Sequence, residues 1–329
     1  MNRQKNYELH VICQTHWDRE WRFPFQQSRI MLVDMMDHLL EIVERFPEYK
    51  YYHLDGQTIL LEDYLEIRPE SRKKLTKFIK EGRILVGPWY TLPEENLIDG
   101  ECIVRNLMMG HKLGGEFGKV MKVGFTPCSF GQVSQIPQIL KGFGIDSILF
   151  HRGVPAHKVD LEYIWEGSDG TRILAIRPPF GGRFNFYSIV MSRLLSASNS
   201  ETTCYGAVSI ETLQQTTNLK DTHSTDSIYY SEAVPKSWRK DILLKALKDL
   251  KDLASKRATT QFLWCGQGHD LMEPNPRLPT IVTEANKLLG KDRIFISSLP
   301  QYVIKIKRSV KNLKVVKGEM RSTQKDESG

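Results

Sequence analysis

The segment QTHWDREW near the start of the chain carries the side chains with the most evident chemistry. His16 and Asp18 are two residues apart, so in an extended segment they point to the same side and can converge on one cation. An imidazole nitrogen and a carboxylate oxygen both suit zinc, at about 2.0–2.2 Å. Trp21 on the same loop could form an aromatic floor for a sugar ring. A hydrogen-bonded His–Asp pair packed against tryptophan at a strand end accounts for the same residues, so the metal is one of two hypotheses.

Two further loops follow apolar runs of strand length. In GPWYTLPEEN, Trp89 and the acids Glu94 and Glu95 could face a ligand, or could form a Gly-Pro turn with solvent-exposed acids. In FTPCSFGQVSQIP, Cys128 lies in a tight turn bracketed by a proline and a glycine, which favours a positioned side chain. Cys128 could be a metal ligand, a reactive thiol or a small buried residue. Without a known neighbour, the last of these is the most common.

Arg152 and His269 follow two more predicted strands. Arg152 in FHRGV could bind a polar substrate or form a salt bridge, and CGQGHD places His269 and Asp270 in a Gly-rich turn. Each of these signals is weak alone. Together, however, the candidates follow successive predicted strands, and parallel strands place their carboxyl ends at one edge of a sheet. The sequence therefore predicts a site built from strand-end loops.

The elements that must position these loops alternate along the chain. Short apolar runs predict strands, and apolar residues spaced three or four apart predict amphipathic helices. This alternation predicts an α/β fold with a mostly parallel sheet or barrel covered by helices. The predicted strands lie at 9–13, 49–54, 83–87, 122–125, 147–150, 172–176, 261–265 and 293–297, and the predicted helices at 28–46, after Pro69, at 101–117, 239–254 and 280–289, and from 299.

Composition and charge argue against several other classes of protein. The chain has 329 residues, 40% of them hydrophobic, and no run of about 20 apolar residues that would span a membrane. The formal net charge is +7, but no aromatic-and-basic stripe or zinc-finger spacing accompanies it, which argues against nucleic-acid binding. The five cysteines are widely spaced, so no disulfide framework is expected. Because no signal-peptide core is visible, we expect a cytoplasmic location.

We expect one α/β catalytic domain over residues 1–310. Within it, residues 190–232 are rich in Ser and Thr and predict a loop-rich insertion. Residues 311–329 end in a polar run and predict a frayed tail.

Several longer motifs resemble glycoside hydrolase family 38, the α-mannosidases. The resemblance is dense over about residues 8–180 and resumes around 261–321. It rests on QTHWDREW, DGQTILLEDYLEIRPE, GRILVGPWYTLPEENL, ECIVRNLMMG, PCSFGQVSQIPQIL and FHRGV. It implies a distorted barrel of mostly parallel strands covered by helices. It also implies a retaining mechanism in which one zinc ion grips the 2- and 3-hydroxyls of mannose.

The same resemblance implies roles for individual residues. His16 and Asp18 correspond to zinc ligands, and Trp21 corresponds to a tryptophan that stacks under the sugar at the reactive subsite. Arg152 corresponds to an arginine that lines that subsite. The full predicted set of substrate-binding residues is Trp21, Trp89, Arg152 and His269.

The sequence departs from the family pattern at three positions. Cys128 stands where the family has an aspartate, in a D-x-F-G-H pattern, that both ligates zinc and attacks the anomeric carbon. Gln132 stands at the histidine of that pattern, and Gly268 at the aspartate of a G-x-D-H pattern. Family members also continue well beyond the segment GEMR (318–321), into a helical bundle that supplies a histidine as the fourth zinc ligand.

Three functions remain open at this stage. The first is a zinc-dependent retaining α-mannosidase that hydrolyses α-mannosides. It would be impaired because Cys128 cannot act as a carboxylate and because a separate chain would have to supply the C-terminal domains. The second is a non-catalytic mannoside- or partner-binding remnant, and the third is a metal hydrolase that uses zinc-activated water. Because cysteine is a good zinc ligand, we expect that His16, Asp18 and Cys128 could hold one zinc ion, if only weakly.

Overall fold

The computed structural model describes residues 6–150, 152–154, 159–179, 182–196 and 239–321. In these ranges strands and helices alternate, which confirms the predicted α/β class. The strands are β1 (Glu8–Thr15), β2 (Tyr52–Leu54), β3 (Ile84–Leu85), β4 (Gly124–Phe125), β5 (Ser147–Leu149), β6 (Glu162–Glu166), β7 (Arg172–Ile176), β8 (Phe262–Gln267), β9 (Arg293–Ser297) and β10 (Val315–Lys317). The α-helices are α1 (Phe25–Arg45), α2 (Ile59–Leu65), α3 (Arg72–Lys80), α4 (Gly100–Phe117), α5 (Ile136–Gly142), α6 (Ser192–Ser196), α7 (Lys240–Ser255), α8 (Leu278–Leu288) and α9 (Leu299–Ser309).

The first sheet has the order β3-β2-β1-β8, and β9 also pairs with β1. All its pairings are parallel, so the carboxyl ends of its strands lie at one edge. The central strand β1 is buried along almost its whole length, as expected for a parallel strand covered on both faces. The sheet therefore brings the loops after β1, β2, β3 and β8 together.

The second sheet has the order β10-β6-β7-β5-β4, and its β6–β7 pair is antiparallel. It faces the first sheet across a shared cluster of buried side chains, which includes Ile12 of β1, Phe125 of β4 and Trp264 of β8. Leu174 of β7 and Tyr302 of α9 belong to the same cluster. The strands of both sheets thus share an apolar interior, in agreement with the predicted distorted barrel.

The helices cover the sheets through their apolar faces. The buried residues of α1 include Leu32, Met36 and Leu39, at the spacing of one helical face, and they join the cluster that covers β1. Helix α4 begins at the cap Asp99, whose carboxylate accepts the Cys102 N–H at 2.7 Å. None of the helices within the described ranges is long and apolar enough to cross a membrane.

One predicted boundary needs correction, and a second lies mostly outside the described residues. The predicted tail at 311–329 begins too early, because β10 pairs with β6 and Met320 is buried. The last residues of that tail, 322–329, lie outside the described residues. Of the predicted insertion at 190–232, only residues 190–196 are described, and they are helical.

Candidate functional site

A cavity of about 390 Å³ lies at the carboxyl ends of the strands. Most of its walls come from the loops after β1, β3, β4 and β8. The lining residues are His16, Asp18, Glu20, Trp21, Leu92, Pro93, Glu94, Thr126, Cys128, Ser129, Phe130, Arg152, Arg183 and Asp270. We call this cavity the cleft. It contains five of the seven residues predicted for the site.

His16 continues β1 into the cleft and is held through both its backbone and its ring. Its N–H donates to the carbonyl of His269 at 3.1 Å. Its ring Nδ1 lies 2.8 Å from Oδ2 of Asp55. The same oxygen accepts the Trp17 N–H at 2.8 Å and the Gln57 amide at 2.9 Å. Because Asp55 is fully buried, this network fixes the orientation of the imidazole.

The second ring nitrogen of His16 faces the cleft. Its Nε2 lies 3.3 Å from Oδ1 of Asp18, so the predicted pair does converge. Burial alone would lower the pKa of His16, but the charges of Asp55 and Cys128 outweigh burial and raise this pKa well above its ordinary value. These charges therefore favour the protonated form of the imidazole.

Cys128 lies in the turn after β4, which an acid from the loop after β3 holds in place. The Glu94 carboxylate accepts the Phe130 N–H at 3.0 Å and the Ser129 hydroxyl at 3.3 Å. The neighbouring Glu95 accepts the Val133 N–H at 2.9 Å. The turn leaves the thiol half-buried at the cleft wall.

A buried arginine lies next to Cys128. Nε of Arg183, in the short 3₁₀ helix Gly182–Phe184, donates to the sulfur at 3.1 Å, and its Nη2 donates to Asp270. Burial alone would raise the pKa of the Cys128 thiol, but the positive charges of Arg183 and His16 outweigh burial and lower it. Burial alone would likewise raise the pKa of Asp270, which Arg183 lowers to about 2. The side of the cleft around Cys128 is thus a cluster of alternating charges.

Arg152 supports the same turn from the next strand-end loop. Its Nη1 donates to the carbonyl oxygen of Cys128 at 2.6 Å. Its guanidinium lies 4.3 Å from the centre of the Phe130 ring, close enough for a cation–π contact. Arg152 therefore lines the cleft and also stabilises the turn that carries Cys128.

The two predicted tryptophans lie in different environments. Trp21 is 60% exposed at the rim of the cleft, with the Arg22 guanidinium over its ring. Trp89 has no exposed surface, and its indole N–H donates to the Phe125 carbonyl at 3.1 Å. The substrate-binding role predicted for Trp89 does not fit this position and is corrected to a role in the core.

His269 is near the cleft but does not line it. Its ring packs against Phe184 and Tyr187, with centroid distances of 4.9 and 5.6 Å. Burial lowers the pKa of His269 to about 4, so it is neutral at pH 7. Its neighbour Asp270 is the residue of this turn that reaches the cleft.

The other two departures from the family pattern, Gln132 and Gly268, are in close contact with neighbouring parts of the chain. Gln132 is fully buried, and its Oε1 accepts the Thr126 hydroxyl at 2.8 Å. Gly268 has a φ of +131°, and a Cβ there would lie 1.7 Å from the carbonyl oxygen of Gln14. An aspartate cannot occupy position 268 unless the backbone moves.

Three residues of the site were missed by sequence reasoning. Asp55 directly follows β2, so the rule that selected His16 could also have selected it. Asp270 was noticed beside His269 but not included in the predicted set. Arg183 lies in the segment after the predicted strand at 172–176, but nothing in the sequence indicates that it contacts Cys128.

Active sites of α/β folds commonly lie at the carboxyl ends of parallel strands, where this cleft brings acids, bases and an exposed tryptophan together. The pattern of the glycosyl hydrolases family 38 N-terminal domain matches residues 6–322. The chain belongs to this family, so it is a glycoside hydrolase by family, as the motifs predicted.

Individual relatives agree with this assignment. A protein of Halalkalibacterium halodurans named "Putative mannosylglycerate hydrolase" is 41% identical over 180 residues, which cover 51% of this chain and 20% of that protein. Alpha-mannosidase 2C1 of Homo sapiens is 27% identical over 207 residues, covering 60% of this chain and 19% of that protein. The crystal structure of an alpha-mannosidase from Enterococcus faecalis superposes with a TM-score of 0.76 at 25% identity, covering 96% of this chain and 31% of that one. The chain thus spans about a fifth of the length of these curated relatives.

The zinc ion that the resemblance implies does not fit the residues of the cleft. Within the described part of the chain, no three His, Cys, Asp or Glu side chains form a group that could hold a metal. The Arg183 guanidinium places a permanent positive charge 3.1 Å from the sulfur of Cys128. No step of the proposed function therefore uses a metal.

Proposed function

We propose that the cleft binds the mannosyl group of an α-mannoside, and that the chain is an α-mannosidase by descent that turns this substrate over slowly. The observation that carries the proposal is the meeting of His16, Asp18, Trp21 and Arg152 around one cavity of about 390 Å³. The relatives named alpha-mannosidase, in sequence and in structure, support mannose as the sugar.

The cleft offers the two kinds of contact that a sugar ring needs. The exposed indole of Trp21 can stack on the apolar face of the ring, where C–H groups meet an aromatic surface. Asp18 and Arg152 can accept from and donate to ring hydroxyls, and charged partners make the stronger hydrogen bonds. His16 and its partner Asp55 hold the edge of the cleft rigid, so little ordering is required on binding.

Slow turnover follows from the groups that would break the glycosidic bond. A retaining glycosidase uses two carboxyl groups about 5–5.5 Å apart. At the position of the family's nucleophile, Cys128 supplies a thiol instead of a carboxylate. Hydrolysis therefore lacks one carboxyl group of the pair on which it depends. A purely mannoside-binding protein would share this cleft and differ only in having no turnover at all.

Binding is tested by saturation-transfer NMR with methyl α-mannoside on the full chain. We expect transfer to the sugar protons and a clear loss in Trp21→Ala, because the variant removes the stacking surface. Trp21 is exposed, so this variant should stay folded, and far-UV circular dichroism serves as the control. Absence of transfer in the parent chain would overturn the proposed function.

Turnover is tested by hydrolysis of a chromogenic α-mannoside by the parent, Cys128→Asp and Cys128→Ser. Arg183 would hold an aspartate at position 128 in its ionised form. We expect Cys128→Asp to release several equivalents of the chromophore while Cys128→Ser releases none above background. Rapid multiple turnover by the parent chain would contradict the slow-turnover part of the proposal.

A further inference from the structure

We propose that residues 315–321, called the β10 segment, hold the turn after β4 and the turn after β5 in place and thereby set the affinity of the cleft for its sugar. The part of this proposal that concerns the sugar rests on the proposed function, whereas the part that concerns the turns does not. The whole segment lies within the described ranges, and none of its residues lines the cleft. They would therefore act through the two turns, as positioning residues.

The first part of the segment is anchored to the second sheet. Strand β10 pairs with β6, and Lys317 forms an ion pair with Glu166 at 2.6 Å. Beyond the strand, the Gly318 N–H donates to the Glu166 carbonyl at 3.1 Å, and the Gly318 carbonyl accepts the Trp165 indole N–H at 2.8 Å. Because these contacts fix the backbone up to Gly318, the residues that follow have little freedom in where they lie.

Met320 then pairs with the turn after β4. Its N–H donates to the Gln132 carbonyl and its carbonyl accepts the Gln132 N–H, both at 3.0 Å, which forms an antiparallel bridge. Gln132 in turn accepts the hydroxyl of Thr126, a residue of the cleft wall, at 2.8 Å. The side chain of Met320 is 3% exposed and packs in the buried cluster that contains Trp165. The bridge is therefore both hydrogen-bonded and closed to water.

The Met320 carbonyl also lies against the turn after β5. A Cβ at Gly153 would lie 2.0 Å from this oxygen, and a Cβ at Gly131 would lie 3.1 Å from it. The two turns are themselves neighbours, because the Cβ at Gly153 would lie 3.0 Å from the Cα of Gly131. One backbone carbonyl thus packs against the turns that carry Cys128 and Arg152, and only glycine at position 153 allows this approach.

The two turns form one wall of the cleft, which Phe130 and Arg152 line. Glu94 accepts the Phe130 N–H at 3.0 Å and so supports the turn after β4 on the cleft side. Met320 supports the same turn at Gln132. Without this second support the wall could shift relative to the loop after β1, and a misplacement of about 1 Å is enough to lose much of a binding site's affinity.

The hold on the turns is tested without any sugar, by hydrogen–deuterium exchange with mass spectrometry on the parent chain, Met320→Ala and Met320→Leu. In Met320→Ala we expect the peptide over residues 126–136 to exchange at least about tenfold faster, because the bridge to Gln132 loses the packing that keeps water out. Met320→Leu keeps a similar apolar volume and should restore slow exchange. Peptides of α7 should exchange at the parent rate in all three proteins.

A matched pair of glycines tests the approach of the Met320 carbonyl. Gly153→Ala places a methyl group against this oxygen, whereas Gly170→Ala has nothing within 4 Å of the new Cβ. The two positions have nearly the same φ, +83° and +85°, so the backbone strain of the substitution is matched. We expect faster exchange over residues 126–136 in Gly153→Ala but not in Gly170→Ala.

The effect on the cleft is measured as the dissociation constant for methyl α-mannoside, by NMR titration well below the unfolding temperature of each variant. We expect this constant to rise about tenfold in Met320→Ala and Gly153→Ala, and to keep the parent value in Met320→Leu and Gly170→Ala. A segment that only stabilised the fold would lower the unfolding temperature and leave the dissociation constant unchanged. Far-UV circular dichroism shows which variants are folded.

The outcomes separate this proposal from the proposed function. Unchanged exchange over residues 126–136 in Met320→Ala and Gly153→Ala would overturn the proposal, whatever the cleft binds. Faster exchange with an unchanged dissociation constant would also overturn it, because the segment would then support the fold alone. If the parent chain binds no mannoside, the proposed function fails, and faster exchange in these two variants would still support the hold on the turns.

Discussion

The β1–β2 side of the cleft (His16, Asp18 and Trp21, supported by Asp55) differs from the β4–β8 side (Cys128, Gln132, Gly268 and Asp270). The first side keeps the histidine, the aspartate and the tryptophan that the family resemblance implies there, and Asp55 accepts three hydrogen bonds on this side. The second side has replaced the family's residues at three positions.

The replacements on the β4–β8 side have fixed partners. Gly268 approaches the Gln14 carbonyl too closely for any side chain, and Arg183 connects Cys128 to Asp270. The residues proposed to hold the sugar and the position of the family's nucleophile lie on different strands, so one set can change while the other stays intact.

The largest effect is expected on the β1–β2 side, from Asp55→Ala. The variant would leave His16, Trp17 and Gln57 without their shared acceptor in a fully buried site. We expect a loss of about 3–5 kcal/mol in the free energy of unfolding, as for breaking a buried ion pair. Urea denaturation measures it, with Asp55→Asn as a milder control that keeps an acceptor oxygen. A loss below about 1 kcal/mol in Asp55→Ala would show that the network does not support the fold.

On the β4–β8 side, Gly268→Asp tests whether the family's residue can simply be restored. The new Cβ would overlap the Gln14 carbonyl, and the φ of +131° is unfavourable for any side chain. We expect a destabilisation of about 2–4 kcal/mol and no gain in mannosidase activity. Gly290→Asp is the matched control, because nothing lies within 4 Å of its Cβ position. A stable and active Gly268→Asp variant would contradict the conclusion that the Gln14 carbonyl excludes a side chain at position 268.

The turn that carries Cys128 should respond to pH through Glu95. Burial raises the pKa of Glu95 to about 8, so the folded chain keeps a proton that the unfolded chain releases. The unfolded state thus binds fewer protons between about pH 4.5 and 8, and the free energy of unfolding falls as pH rises through that window. We expect a decrease of roughly 3 kcal/mol between pH 5 and pH 8, reduced in Glu95→Gln. The same decrease in both proteins would assign the effect to other groups.

The smallest effect is expected for the zinc content of the chain. A zinc ion would need ligands from both sides of the cleft, His16 and Asp18 from one and Cys128 from the other. We expect the purified chain to hold much less than one equivalent of zinc after dialysis, because the Arg183 guanidinium beside the sulfur of Cys128 opposes a cation. Cys128→Ser should give the same metal content by mass spectrometry. One equivalent of zinc in the parent chain that disappears in Cys128→Ser would restore the metal hypothesis.

Much of the fold could be predicted from periodicity. Helices α1 and α7 have continuous apolar faces, and β1, β8 and β9 are apolar runs of strand length, so their patterns admit few alternatives. Strand β6 was missed because the run EYIWE reads as mixed polar sequence, although packing buries most of it. The short strand β10 was missed because it has only three residues, and its sequence does not indicate that it pairs with β6.

The site was predictable only where chemistry and spacing coincide. His16 and Asp18 are two residues apart on one strand end, so their convergence follows from local geometry. The sequence could not show that Trp89 is buried and Trp21 is exposed, because burial depends on residues distant in sequence that cover each ring. Arg183 is 55 residues from Cys128, and only the folded chain brings the two together.

The most direct test of the account is protection of Cys128 from iodoacetamide by methyl α-mannoside, followed by peptide mapping. If the cleft binds a mannosyl group beside the sulfur, the alkylation rate at Cys128 should fall to a plateau as the sugar concentration rises. The rate at Cys102, on the exposed surface of α4, should stay unchanged. An unchanged rate at Cys128, at sugar concentrations where NMR shows binding, would place the sugar elsewhere and contradict the account.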